Sequence, residues 1–228
     1  MATPSPIEQT IIIAPSDAKQ YLAKRDIDVD SLVEGLTEGF AKRLNCGVYD
    51  PVTAPATYQW AETNASIRHS HCKTGKWEMA NPENRPLIVH VENLTQFGAV
   101  AGNSATGLKN AVPDFARKKG VATIHSVNAS NQLPLEWESL CSVALSADAR
   151  NTPPEGEWFL LYFYDKENQQ LRCEFSLATG VSKNGGVEGW LVRVLLKPIH
   201  PDFVMAQPDL FGHEDGDIDF TITRAAGE

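Results

Sequence analysis

The clearest pattern of apolar and polar positions lies in residues 157–198. Trp158-Phe159-Leu160-Leu161-Tyr162-Phe163-Tyr164 is an unbroken apolar, aromatic run, the signature of a strand covered on both faces, and Asp165-Lys166-Glu167-Asn168-Gln169 stops it. The period then becomes two. Leu171, Cys173, Phe175 and Leu177 alternate with Arg172, Glu174 and Ser176, which predicts a strand with its charged face in water. Asn184-Gly185-Gly186 suits a tight reversal, Trp190-Leu191-Val192-Arg193-Val194-Leu195-Leu196 follows as a third strand, and Pro198 closes it. An antiparallel three-stranded meander is therefore expected.

Upstream, Thr10-Ile11-Ile12-Ile13 is a short β-branched run that suits a strand, and Ser16 is a plausible N-cap for a helix reaching about Lys24. Leu32, Val33, Leu36, Phe40 and Leu44 recur at helical spacing, and Ser31 with Glu34 has the separation of a capping box, predicting a helix over 31–44. Pro51, Pro55 and small residues make 45–65 read as a connection. Ile67, His69 and His71 alternate before Lys73-Thr74-Gly75-Lys76, and Trp77 and Met79 alternate after it, as in a hairpin ending at Asn81-Pro82. Strands are expected at 87–91 and 121–127, separated by helices at 93–101 and 108–119, which together would form a βαβ unit. A further helix is expected over 136–146. The fold class that results is α+β: one domain over 1–208 with a mixed sheet, helices packed on it, and an acidic C-terminal segment over 209–228.

Composition changes this picture little. The 228 residues are 42% hydrophobic and 21% charged, enough to bury a real core. Charge matters more, because 20 basic against 29 acidic side chains leave a net −9, a field that opposes non-specific binding to nucleic acid or anionic membrane. The beginning of the chain has no basic region followed by an apolar stretch, and no run of eighteen apolar residues occurs, so a cytoplasmic protein without a membrane span is expected. Cys46, Cys72, Cys141 and Cys173 are scattered with no Cys-x-x-Cys pair, which fits reduced thiols.

Candidate chemistry is sparse. On a strand His69 and His71 share a face, and with His90 or His125 from a neighbouring strand they form an imidazole set for zinc, the one cofactor left open. Glu92 would be the base of a metal-dependent hydrolase or nuclease built there. His90-Val91-Glu92 has the His-x-Glu form of zinc deaminases without their cysteine ligands, and Gly102 to Gly107 has the glycine spacing of a P-loop without its lysine and hydroxyl offsets. Asp26, Asp28 and Asp30 begin like a calcium loop that Ser31 and Thr37 then break. Arg117, Lys118 and Lys119, with Arg172, Arg193 and Lys197, are the nucleic-acid candidates, with Tyr162 and Tyr164 to stack single-stranded bases on an exposed sheet. The same three basic residues would equally complement the dipole at the end of a helix over 108–119.

The expected function is that of a non-catalytic binding protein: an accessory, adaptor or inhibitor subunit contacting another, basic protein such as a nucleic-acid-handling one, or a second copy of itself. Its contact residues would be Leu210, Phe211, Asp215, Asp217, Asp219 and Phe220, where acidic charge alternates with large apolar side chains. The alternative for that segment is an edge strand of the chain's own sheet.

Overall fold

The computed structural model describes residues 10–130 and 148–202. Its centre is the expected meander, in which β5 (Glu157–Asp165), β6 (Gln170–Val181) and β7 (Val187–Leu195) pair antiparallel in sequence order. Further strands complete a mixed sheet: β1 (Ile11–Ile13), β2 (Trp77–Ala80), β3 (Leu87–His90) and β4 (Gln96–Ala101), in the spatial order β1-β7-β6-β5-β4-β3-β2. Two pairs are parallel, β1 with β7 and β4 with β5, and the fold is α+β.

Strand alternation divides the core in two. Trp158, Leu160, Phe175, Val192 and Val194 face a layer of helices α1 (Ala18–Leu22), α2 (Val29–Leu44) and α3 (Ala54–Cys72). In that layer Phe97 is edge-on to Phe175, whose ring stacks on Trp158 at 5.1 Å. Phe159, Leu161, Ala178 and Trp190 face the opposite side, against Phe115 and the helix α4 (Val121–Ser130). The continuous apolar run of β5 thus serves both cores.

Several expectations are overturned. Residues 54–72 form α3 instead of a connection and a hairpin strand. Pro55 lies in the first turn of that helix, where its missing N–H costs nothing. The face α3 buries is mostly polar, with Gln59, Thr63, Asn64 and His71 beside Ile67, so no apolar period announces it. What permits this packing is glycine on α2. A Cβ at Gly39 would fall 2.0 Å from Thr63 Oγ1 and 2.6 Å from the Gln59 carbonyl, and one at Gly35 would fall 2.6 Å from Ile67 Cγ2. Helix α2 itself starts at Val29, because Asp28 caps it by accepting from the Asp30 and Ser31 amides; Ser31 is already inside and the Ser31–Glu34 capping box does not form.

Residues 93–101 are not a helix. The Asn93 side chain accepts the Thr95 amide in an Asx turn, and the chain enters β4. Residues 121–127 are helical instead of extended, and residues 108–119 form an irregular loop instead of a helix, so the expected βαβ unit is absent. Trp77–Ala80 pairs with Leu87–His90 and not with 67–71. The expected helix over 136–146 and the segment 209–228 lie outside the described residues.

The charged face of β6 is also not in water. Arg172, Glu174, Ser176 and Arg193 are all buried under the loop 102–119. Arg193 pairs with Glu174 through Nη2 at 2.6 Å and Nε at 3.0 Å, and donates onward to the carbonyls of Ala111 and Leu108. Glu174 also accepts the Gly107 amide and the Ser176 hydroxyl, while Arg172 donates to the Ser104 carbonyl. Besides the apolar contact of Phe115, the loop is held by ions and backbone carbonyls.

Candidate functional site

Strands β3 and β4 stay paired only through Ile88–Phe97 and Val89–Gln96, then part. Asn64 on α3 fills the gap, its amide oxygen accepting the Ala99 N–H and its nitrogen donating to the Ala99 carbonyl, both at 3.1 Å. The side chain takes the place of a strand, which keeps β4 satisfied where its neighbour has left. At this split lies a cleft of about 170 Å³.

Its apolar walls include Trp60, Leu87, Val100 and Phe159, and its polar groups are Arg85, Lys119, Glu157, Asn84 and Thr123. Gly98 belongs to the wall because a Cβ there would meet the Pro86 carbonyl at 2.7 Å. Glu157 is fully buried. Its Oε1 accepts from Arg85 Nη1 at 2.6 Å, and its Oε2 accepts from Gln96 at 2.9 Å and from the Ser126 hydroxyl. Both oxygens of that carboxylate are engaged, as a buried charge requires. Lys119 is different. Its Nζ lies 4.6 Å from the centre of the Phe115 ring, and among the described residues it has no acceptor. Burial lowers its pKa to about 8, with Glu157 opposing that shift and Arg85 adding to it. The Lys119 backbone is clamped on the β6–β7 turn, donating to the Gly185 carbonyl at 2.9 Å. Gly185 has φ +76, and a Cβ on it would come within 2.3 Å of the Lys119 carbonyl oxygen.

The histidines do not assemble as a strand pair would. On α3, His69 and His71 are about 200° apart around the axis, so His69 is exposed and His71 buried. His71 sits between Trp77 and Phe97, with Nδ1 donating to the Ile67 carbonyl at 2.9 Å and Nε2 without a hydrogen-bond partner. Desolvation lowers its pKa. His90 lies edge-on to Trp77, its Nδ1 accepting the Glu92 amide and its Nε2 3.4 Å from Asp26 Oδ2. Asp26 also holds Lys76, and that contact is the leading cause of its lowered pKa. Among the described residues no three His, Cys, Asp or Glu side chains gather as a metal site.

Of the nucleic-acid candidates, Arg117 and Lys118 are exposed and Lys119 enters the cleft. They precede α4 instead of ending a helix, so dipole complementation does not explain them. Arg172 and Arg193 are buried ion-pair partners, Tyr162 is buried, and Tyr164 packs on Phe40 beneath Arg43. These residues do not form one exposed basic, aromatic surface. Among the described residues no helix is long and apolar enough to cross a membrane.

Sequence reasoning missed the cleft, whose groups come from α3, the β2–β3 connection that carries Arg85, β3, β4, β5, the 102–119 loop and α4. It also missed the loop between α2 and α3. Val48, Tyr49 and Val52 there are 92%, 100% and 97% exposed. The Asp50 carboxylate accepts the Gly47 amide at 2.7 Å, and the Asp50 amide returns to the Gly47 carbonyl, so the backbone that presents them is tied. Compared with known protein families, with curated proteins and with solved structures, the chain matches none.

Proposed function

We propose that this chain is a non-catalytic binding protein, an accessory, adaptor or inhibitor subunit that acts through contacts with another protein. The observation that carries this reading is the α2–α3 loop, where a fully exposed tyrosine and an exposed valine stand on a hydrogen-bonded turn with a second exposed valine, Val52, just after it. Tyrosine is among the side chains that most often anchor an interface, since it brings large area at low entropic cost. Single exposed apolar residues are ordinary on a surface, but Val48 and Tyr49 on the Gly47–Asp50 turn and Val52 on the next, closed by the Ala54 amide on the Pro51 carbonyl, form a compact contact point. A net charge of −9 favours a basic partner and makes the encounter dependent on salt. Leu210, Phe211, Asp215, Asp217, Asp219 and Phe220 belong to the same proposal as a second point of contact.

Photo-crosslinking in the native host tests it, with Tyr49 replaced by benzoylphenylalanine and exposed Lys166, on the β5–β6 turn, replaced likewise as the comparison position. A discrete adduct with one protein is expected from position 49 and none from 166. With that protein purified, Tyr49→Ser is expected to weaken binding by about tenfold, the size of a modest interface anchor. Absence of an adduct, or unchanged affinity for Tyr49→Ser, would refute the reading.

A further inference from the structure

We propose that the cleft at the β3–β4 split binds a small organic anion, a carboxylate with a compact apolar or aromatic body. Its charge would meet Lys119 and Arg85, and its body would lie between Trp60 and Phe159.

Charge is the first reason. The cleft holds two cations and one carboxylate, and that carboxylate already spends its oxygens on Arg85, Gln96 and Ser126. Lys119 is the unbalanced group. An ammonium resting on an aromatic ring gains attraction from the ring face but finds no acceptor for its N–H donors there. Arg85 likewise keeps a buried Nε with no hydrogen-bond partner. One incoming carboxylate supplies acceptors to both, and it does so beside the positive end of α4, whose first turn contributes Thr123 to the lining.

Shape and size narrow the class. About 170 Å³ is less than the roughly 300–1,000 Å³ of pockets for drug-sized ligands, so a nucleotide or a folded peptide is too large. Trp60, Leu87, Val100 and Phe159 give walls that an inorganic anion would leave uncovered. The site is also rigid. Lys119 is fixed on Gly185, Arg85 on Glu157 and β4 on Asn64, so little ordering entropy is lost when a ligand enters.

Heteronuclear NMR titration of the full chain with benzoate, benzamide and inorganic phosphate decides it. Benzoate is expected to shift the Trp60 indole and Gly98 amide signals saturably. Benzamide, with the same body and no charge, and phosphate, with charge and no body, should each bind at least about tenfold more weakly. Lys119→Met should weaken benzoate about tenfold, while Lys118→Met, an exposed neighbour, should leave it unchanged. Trp60→Leu, at a partly exposed position, gives a second variant with a several-fold loss expected should Lys119→Met not fold. The proposal fails if benzoate gives no saturable shift up to about 20 mM. It fails equally if benzamide or phosphate matches benzoate, or if the folded cleft variants bind benzoate as the parent does.

Discussion

Removing Arg193 should test how the 102–119 loop is held. Arg193→Met replaces the guanidinium by an apolar chain of similar length, leaving the carboxylate of Glu174 with 0% side-chain exposure and no counter-ion. It also leaves the Ala111 and Leu108 carbonyls without their donor. Taking one partner from a buried ion pair costs about 3–5 kcal/mol, because the remaining charge is desolvated and uncompensated. Against a total of roughly 5–15 kcal/mol that is a large fraction, and for a chain of this size it lowers the melting temperature by roughly 6–20 °C. Urea unfolding followed by tryptophan fluorescence gives the free energy, and hydrogen exchange at the Gly107 amide, which donates to Glu174 at 2.9 Å, reports the loop directly. Its protection should fall. Adding Glu174→Gln to Arg193→Met removes the stranded charge, with the amide oxygen accepting the Gly107 N–H and the amide nitrogen donating to the Ser176 hydroxyl oxygen, so the double variant should recover about 1 kcal/mol or more over the single one. A loss below about 1 kcal/mol for Arg193→Met, or no recovery in the double variant, would show that the pair does not hold the loop.

Other expectations follow from the same geometry. Gly39→Ala gains about 1 kcal/mol of helix propensity but places a methyl group against Thr63 and the Gln59 carbonyl, so a net loss of about 1–2 kcal/mol is expected; a stabilised variant in urea would contradict the close α2–α3 contact. Asn64→Ala strands the Ala99 amide and carbonyl and should cost about 2 kcal/mol or more, with faster exchange at Ala99; exchange as slow as in the parent would refute this role. His71 is buried with a lowered pKa, so the unfolded chain binds its proton first. Stability is therefore full above pH 6.5 and declines as pH falls below it, by up to about 1.4 kcal/mol per unit until the folded-state pKa is reached. Urea midpoints at pH 7.5 and 5.5 check this against His71→Phe, which should flatten the slope; equal slopes would refute it. Lys119, with a pKa of about 8, is half neutral at pH 8, and trinitrobenzenesulfonate should label it ahead of the exposed Lys118, as read by peptide mass mapping.

The meander was legible because its residues carry the answer locally. Trp158 to Tyr164 needs cover on both faces whatever surrounds it, and Leu171, Cys173, Phe175 and Leu177 repeat with the period of a strand. Helix α2 was legible for the same reason, although its true cap is Asp28. Helix α3 was not. Its buried face is written in Gln59, Thr63, Asn64 and His71, which become interior positions only because Gly35 and Gly39 sit opposite them. The alternation in β6 and β7 correctly separated two faces, but whether Arg172, Glu174 and Arg193 met water or a loop depended on carbonyls supplied by residues 104–111. The 121–130 segment is rich in β-branched residues and is helical nonetheless, with Thr123 and Val127 one turn apart on its buried side. The cleft is the furthest from the sequence. Arg85, Lys119 and Glu157 are ordinary surface residue types in ordinary contexts, and only the parting of β3 from β4 encloses them beside Trp60 and Phe159. Local period fixes strands and helices because it reflects one element against one interface; a site assembled from seven segments exists only once they have packed.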